Sequence, residues 1–333
     1  NNQVTLLSEK IRKHKLGTEA AADQTVYEEK DHSNYIGVYN TKSKAYIVIY
    51  SSATLSSEYR IIPSGTPDVS FSIFQPRMKD VLYSFDHWGD KFIIRTNLEA
   101  KNFRLMETPV VQTGKENWKE VIPHRPDVLL EDIEVFKTHW VITERKEGLL
   151  HMRIRDMASG KEHYLDFGEP AYSAYAGNNP EFNSTTFRYN YTSLTTPNSV
   201  FDYDMDSHAK KLMKEQAVLG GFDKNDYVTE RIFVTARDGA KVPVSIVYKK
   251  GTNKDGTAPL LLYAYGSYGN STDPGFQSNY LSLLNRGFVY AIAHIRGGQE
   301  MGRQWYEDGK LLKKKNTFTD FIDCGEALIK EKY

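Results

Sequence analysis

The chain has 333 residues, enough for two domains and a sizeable core. Its 43 Lys and Arg balance 43 Asp and Glu, which argues against a general nucleic-acid footprint or an electrostatic membrane binder. No apolar run approaches a membrane span, and a single cysteine, Cys324, leaves no intramolecular disulfide and no cysteine-based metal site.

In chain order, Asn1-Asn2-Gln3-Val4 has neither signal-peptide nor transit-peptide character and lacks an initiator Met. Residues 1–22, with Ile11-Arg12-Lys13-His14, read as the tail of a blade that precedes the four described next. Residues 20–220 then carry a faint repeat. Tyr46, Phe92, Trp140 and Phe187 sit in register in four strand-like runs, spaced 46, 48 and 47 residues apart. Each run is followed, 11 to 14 residues on, by a second strand with a large residue: Tyr59, Phe103, Met152 and Phe201. Further apolar runs precede them, such as 35–39, 81–85 and 133–136. Three or four antiparallel strands per period of about 45 residues is the signature of propeller blades, each needing a neighbour to cover its second face. An ordinary β-sandwich is the alternative, and the steady period favours blades.

Around Lys210–Gly221 a charged stretch is predicted to be helix-capable and ends at a Gly-Gly pair. A β-hairpin follows, 230–236 and 242–248, turning at Asp238-Gly239. The pattern then changes. Residues 260–264 form a continuous apolar strand, 276–285 a helix stopped by Gly287, 288–295 a second buried strand, and 317–332 an amphipathic helix. That last helix is expected to bury Phe318, Phe321, Ile322, Leu328 and Ile329, and to start at a Thr317/Asp320 capping box. Cys324 within it reads as a buried small hydrophobe. Strand, helix, strand, helix describes a right-handed parallel unit.

In such sheets ligands sit beyond the carboxyl ends of the strands. The first strand ends in Tyr265-Gly266-Ser267-Tyr268-Gly269, where two glycines allow a sharp turn and two phenols reach the functional edge. A phenol is a competent donor to a developing oxyanion. The alternative is two aromatics filling an interface. Asp273, in the following loop, can receive a cationic group or simply start a turn before Pro274. The second strand ends in Arg296-Gly297-Gly298-Gln299-Glu300, where Arg296 and Glu300 are expected to pair locally. His294 reads as a core histidine, and Lys313-Lys314-Lys315 as a solvated face. No Gly-x-Ser-x-Gly occurs in the 333 residues, no metal-ligand spacing is present, and no phosphate-binding Gly-Lys-Ser/Thr loop supports a nucleotide cofactor.

The segments LLLYAYGSYGNSTDPGF, LLNRGFVYAIAHIRGGQEMGRQWYEDGK, KKNTFTDF, RDGAKVPVSIVY and VYEEKDHSNYIGVYNTKSKAYIVIY together resemble the prolyl oligopeptidase family of serine peptidases, its oligopeptidase B (protease II) branch in particular. The resemblance implies blades of a seven-bladed β-propeller over residues 1–220, followed over 221–333 by the N-terminal part of an α/β-hydrolase domain. It implies a serine endopeptidase acting on short peptides, with cleavage after Arg or Lys. Tyr265 then corresponds to the side-chain donor of the oxyanion hole, Tyr268 to an aromatic lining the substrate pocket, and Asp273 to one of two acids receiving a basic side chain. The second acid falls at Gly275, a departure from the pattern. The family's serine, aspartate and histidine would all follow Tyr333. The chain by itself is therefore expected to be inactive, and its partner is the remainder of its own hydrolase domain. The resemblance implies no cofactor and a cytoplasmic setting, or a periplasmic one had a signal been removed. A prolyl endopeptidase, or a non-catalytic propeller-based binding protein, are the competing readings.

Overall fold

The computed structural model describes residues 6–333. A two-stranded sheet, β1 (Lys10–Lys13) with β2 (Gln24–Glu28), precedes four meander sheets of four strands each. The first comprises β3 (Tyr35–Asn40), β4 (Tyr46–Ser52), β5 (Ser57–Pro63) and β6 (Ser72–Gln75). The second comprises β7 (Tyr83–Trp88), β8 (Lys91–Thr96), β9 (Arg104–Pro109) and β10 (Lys119–Ile122). The third runs through β11 (Val128–Val135), β12 (His139–Lys146), β13 (Leu149–Asp156) and β14 (Glu162–Tyr164). The fourth runs through β15 (Tyr172–Ala176), β16 (Thr186–Ser193), β17 (Ser199–Asp204) and β18 (Lys210–Glu215). The four aromatics read from the repeat each open or nearly open the second strand of their sheet, so the period marks real blade-like units.

One expectation fails here. Lys210–Glu215 is the fourth strand of its sheet, not a helix. Every residue of it is exposed, so no apolar alternation announces it, and pairing with β17 overrides the helical preference of Lys, Leu and Glu.

The chain divides into two compact units. The first holds the residues up to His124 together with Val135–Lys137 and Pro180–Asn183. Its core is aromatic. Phe74 stacks on Phe85 with centroids 4.0 Å apart, and Phe92 meets both edge-on. Val48, Ile61, Ile94 and Met106 complete the cluster.

The second unit contains the third and fourth meander sheets and a mixed sheet. β19 (Tyr227–Thr235) and β20 (Lys241–Lys249) form the hairpin at Asp238-Gly239. β20 pairs antiparallel with β22 (Val289–Ala293), which pairs parallel with β21 (Leu260–Tyr263), giving the order β19-β20-β22-β21. Helix α1 (Ser278–Leu284) connects the two parallel strands. β22 is buried on both faces. Val289, Ala291 and Ala293 pack with Val244, Ile246, Cys324 and Leu328, while Tyr290 and Ile292 pack with Leu284, Val247 and Leu194. Period-two alternation thus feeds two cores, which is why the strand reads as unbroken apolar sequence.

A short helix α2 (Arg303–Glu307) precedes α3 (Lys315–Lys330). α3 turns inward Thr317, Asp320, Cys324 and Leu328, as expected for Leu328 alone of the five apolar residues, and leaves Phe318, Phe321, Ile322 and Ile329 exposed. The capping box is absent, because Thr317 lies inside the helix. Its hydroxyl donates to the carbonyls of Arg296 (2.8 Å) and Gly309 (3.2 Å). Asp320, fully buried, binds Arg296. Both polar side chains serve tertiary contacts instead of the helix start. Burial pushes the Cys324 thiol up to about 12, so it behaves as a small hydrophobe. No helix among the described residues is long and apolar enough to cross a membrane.

Candidate active-site edge

The parallel strands β21 and β22 end side by side, and their two carboxyl-terminal loops interlock. Gly269 N–H donates to the Gly297 carbonyl (2.9 Å), and Gln299 Nε2 donates to the Gly269 carbonyl (2.7 Å). The approach is closest at Gly297, whose φ is +106°. A Cβ there would lie 2.0 Å from the Gly266 carbonyl oxygen, so only glycine fits. Lys314 extends into the same loop, donating to the Gly266 carbonyl and to Ser267 Oγ (2.7 Å). Burial lowers the Lys314 pKa. It is thus an anchor, not part of a solvated run.

This scaffold presents two tyrosines. Tyr265 is 46% exposed and Tyr268 is 81% exposed. Tyr268 has φ +57°, a left-handed conformation that costs an L-residue on the order of 1–2 kcal/mol. The hydrogen bonds of Gly269 on its carboxyl side hold it there. An exposed phenol beyond a parallel strand can donate a hydrogen bond to a ligand oxygen that gains negative charge.

Asp273 lies further along the loop in a setting the sequence did not announce. Arg145, on β12, grips both its oxygens, Nη1 to Oδ1 at 2.5 Å and Nη2 to Oδ2 at 3.0 Å. Arg145 Nε also donates to Glu131 Oε1 at 2.6 Å. Burial by itself would depress the Arg145 pKa; Asp273 and then Glu131 outweigh it and hold the guanidinium charged. The loop ends with Phe276 N–H on Thr192 Oγ1 (3.0 Å).

Arg296 and Glu300 do not pair. Arg296 binds Asp320 through its backbone N–H (3.0 Å), Nε (2.9 Å) and Nη2 (2.5 Å), and Asp238 through Nη1 (2.6 Å). Glu300 turns toward the Tyr265 loop instead and accepts from Thr272 N–H at 2.8 Å. Burial pushes its carboxyl up to about 7.

One serine–histidine contact exists nearby. Ser245 Oγ lies 2.8 Å from His294 Nε2, a distance suited to a nucleophile and its base. Both residues are almost wholly buried, and burial lowers the imidazole to about 4. A group so inaccessible and so weakly basic does not activate an alcohol near neutral pH. His294 is a core histidine, as its sequence context suggests. Among the described residues no group of three or more His, Cys, Asp or Glu side chains is arranged to hold a metal ion.

Residues 1–216 match the family model for the prolyl oligopeptidase N-terminal beta-propeller domain, and residues 274–333 match that of the prolyl oligopeptidase family. The chain is 46% identical over 331 residues to dipeptidyl aminopeptidase BI of Pseudoxanthomonas mexicana, covering 99% of this chain and 45% of that protein. It is 33% identical over 321 residues to protease 2 of Moraxella lacunata, covering 96% and 46%. Among solved structures, oligopeptidase B from Trypanosoma brucei with covalently bound antipain, in its closed form, superimposes with a TM-score of 0.91 at 33% identity. That match covers 98% of this chain and 48% of the other. Oligopeptidase B from Leishmania major gives 0.90 at 34% identity, covering 98% and 47%. The chain spans somewhat under half the length of these relatives.

Proposed function

The chain belongs to the prolyl oligopeptidase family, and from that premise we propose that the whole protein is a serine oligopeptidase acting on short peptides. In this reading residues 1–220 supply propeller blades that restrict access, and residues 221–333 supply the substrate-facing start of the α/β-hydrolase domain. The nucleophilic serine and its histidine and aspartate partners belong to the length that the relatives have and this chain does not span. The observation that carries the reading is Tyr265. It lies beyond the end of β21 with its ring open to solvent, on a loop fastened by Gly297, Gln299 and Lys314. Rigid support is what an oxyanion donor needs, since its value lies in being placed before charge develops.

The partner of this chain is then the remainder of its own hydrolase domain. β21 is an edge strand of the mixed sheet, and Phe318, Ile322 and Ile329 on α3 stand exposed with Leu311 and Leu312. An open sheet edge, together with exposed apolar side chains on α3 and the turn before it, suits added parallel strands and a covering helix.

Cleavage after Arg or Lys is the finer proposal. Asp273 is bound to Arg145, but Arg145 is shared with Glu131. Two carboxylates and one guanidinium leave the cluster one negative charge in excess, and a cationic group of a peptide meets that field. Tyr268 supplies an exposed aromatic face nearby in sequence. The 46% identity to a protein named dipeptidyl aminopeptidase favours a second reading. A free N-terminal ammonium is also a cation, and the same field attracts it.

The test uses the full-length protein as its gene encodes it. Hydrolysis of short peptides should be abolished by a serine-directed phosphonate. Tyr265→Phe should lower kcat by about 10²–10³-fold with KM little changed. Unchanged kcat removes the role given to Tyr265. Matched substrates with Arg or Pro before the cleaved bond, each with a free or a blocked N-terminus, separate the specificity readings.

A further inference from the structure

Glu300 has no part in the function so far assigned, yet it is 1% exposed and lies beneath the loop that carries the proposed substrate-facing residues. One carboxylate oxygen, Oε1, accepts from Thr272 N–H at 2.8 Å. The other, Oε2, is buried without a hydrogen-bond partner. The carboxyl is folded tightly over Gly298, where an added Cβ would lie 2.0 Å from Oε2. A buried carboxyl with an unsatisfied oxygen is costly, and an apolar residue of similar size would avoid that cost. What the carboxyl does provide is a fixed acceptor at the residue preceding Asp273.

We propose that Glu300 is a positioning residue for the peptidase reaction: by clamping the Thr272 amide it sets the placement of the loop that presents Tyr265, Tyr268 and Asp273. The proposal rests on the oligopeptidase reading above for its effect on catalysis, and on geometry alone for the clamp.

The clamp has two strengths. Burial pushes the Glu300 carboxyl up to about 7, so its charge changes near neutral pH. The charged groups acting on it are Asp273 in the loop, which disfavours the anion, and Arg145 on β12, which favours it. His294, on the neighbouring strand end, interacts with the same two residues and with Arg231, and stays neutral at these pH values. A carboxylate accepts an N–H bond about twice as strongly as a neutral oxygen does. Against local openings that free Thr272 while Glu300 stays buried, the loop is therefore held more firmly above neutrality than below it, although burial of the charge makes the fold as a whole less stable there.

The test takes the full-length protein with Glu300→Gln and Glu300→Ala variants and reads two quantities. The first is hydrogen exchange at the Thr272 amide, which needs no turnover. Corrected for the intrinsic rate, wild-type protection should rise severalfold, up to about tenfold, between about pH 6 and about pH 8. The Gln variant keeps a neutral acceptor and should give a flat profile matching wild type at the acid end. The Ala variant should lose about tenfold or more at every pH. The second is hydrolysis of a short Arg-containing peptide. The Gln variant should match wild-type kcat within about threefold below about pH 6 and fall progressively behind above about pH 7, with KM nearly unmoved. Should the Ala variant not fold, the wild-type and Gln profiles decide the matter. Profiles of those two that run parallel at every pH overturn the proposal, as does an Ala variant that protects Thr272 as wild type does. A wild-type protein with the expected exchange pattern but no turnover of any short peptide supports the clamp and overturns the oligopeptidase reading.

Discussion

In the first unit Phe92 is surrounded by Phe74, Phe85 and Tyr46 at centroid distances of 5.1, 5.2 and 4.9 Å. In the second, Arg296 is fixed by four hydrogen bonds to two carboxylates, one of them fully buried. The first arrangement sums many small dispersion contacts, and a neighbour of similar volume can replace any one of them. The second is a charged network with few substitutes, because removing one member leaves another buried and uncompensated. Packing in the sheets therefore degrades by degrees, whereas the polar anchors behind the strand-end loops are kept or lost whole.

The contrast is sharpest at Asp320. Asp320→Ala strands Arg296 in the interior with only Asp238 and should cost about 4–5 kcal/mol, read from the urea midpoint. Pairing it with Arg296→Met should restore much of that loss; no restoration would mean the network is not the cause. Next in size is the aromatic cluster. Phe92→Ala should cost about 3–4 kcal/mol, but Phe92→Leu only about 1–1.5 kcal/mol. A leucine variant as damaged as the alanine one would erase the distinction between the two regions.

A third expected effect depends on pH. The Glu300 carboxyl is raised in the fold from an ordinary 4.5 to about 7, so the folded chain retains a proton that the unfolded chain releases in that window. Its contribution to stability is largest below about pH 4.5, declines by up to about 3 kcal/mol as the pH passes through about 7, and is flat beyond. His294 acts in the opposite sense. Its imidazole is lowered from 6.5 to about 4, and stability is lost as the pH falls through that interval. The difference in denaturation midpoint between wild type and Glu300→Gln, followed from pH 4.5 to pH 7.5, isolates the first term. A difference that does not change with pH would show that Glu300 is ionised no differently in the folded chain.

What was legible in the sequence follows the same division. The sheets announced themselves through alternation and through Tyr46, Phe92, Trp140 and Phe187, because strand burial is written in adjacent residues. β22 was readable because two-sided burial makes a continuous apolar run, and Tyr265 was readable as the residue beyond a strand end. β18 was not, since an exposed edge strand carries no apolar pattern. The polar anchors were also hidden. Asp273 pairs with Arg145, 128 positions away, and Asp320 with Arg296, 24 away. Local reasoning instead assigned Asp320 to a capping box, and Arg296 to Glu300. On α3 the larger apolar side chains pointed to the wrong inward face, because Asp320 and the small Cys324 decide which side approaches the sheet. The burial of Glu300 and its bond to Thr272 gave no signal: one acid after a Gly-Gly turn looks like any solvated loop residue.

Arg145 has a practical implication for anyone who recombines this protein with a homologue. It lies on a meander strand, yet it neutralises an acid in the strand-end loop of the mixed sheet. A crossover placed near residue 220 would import a foreign loop opposite a guanidinium chosen for this one, or carry Asp273 to a host lacking its counterion. Swaps at that seam should be designed with positions 131, 145 and 273 treated as a single inherited set.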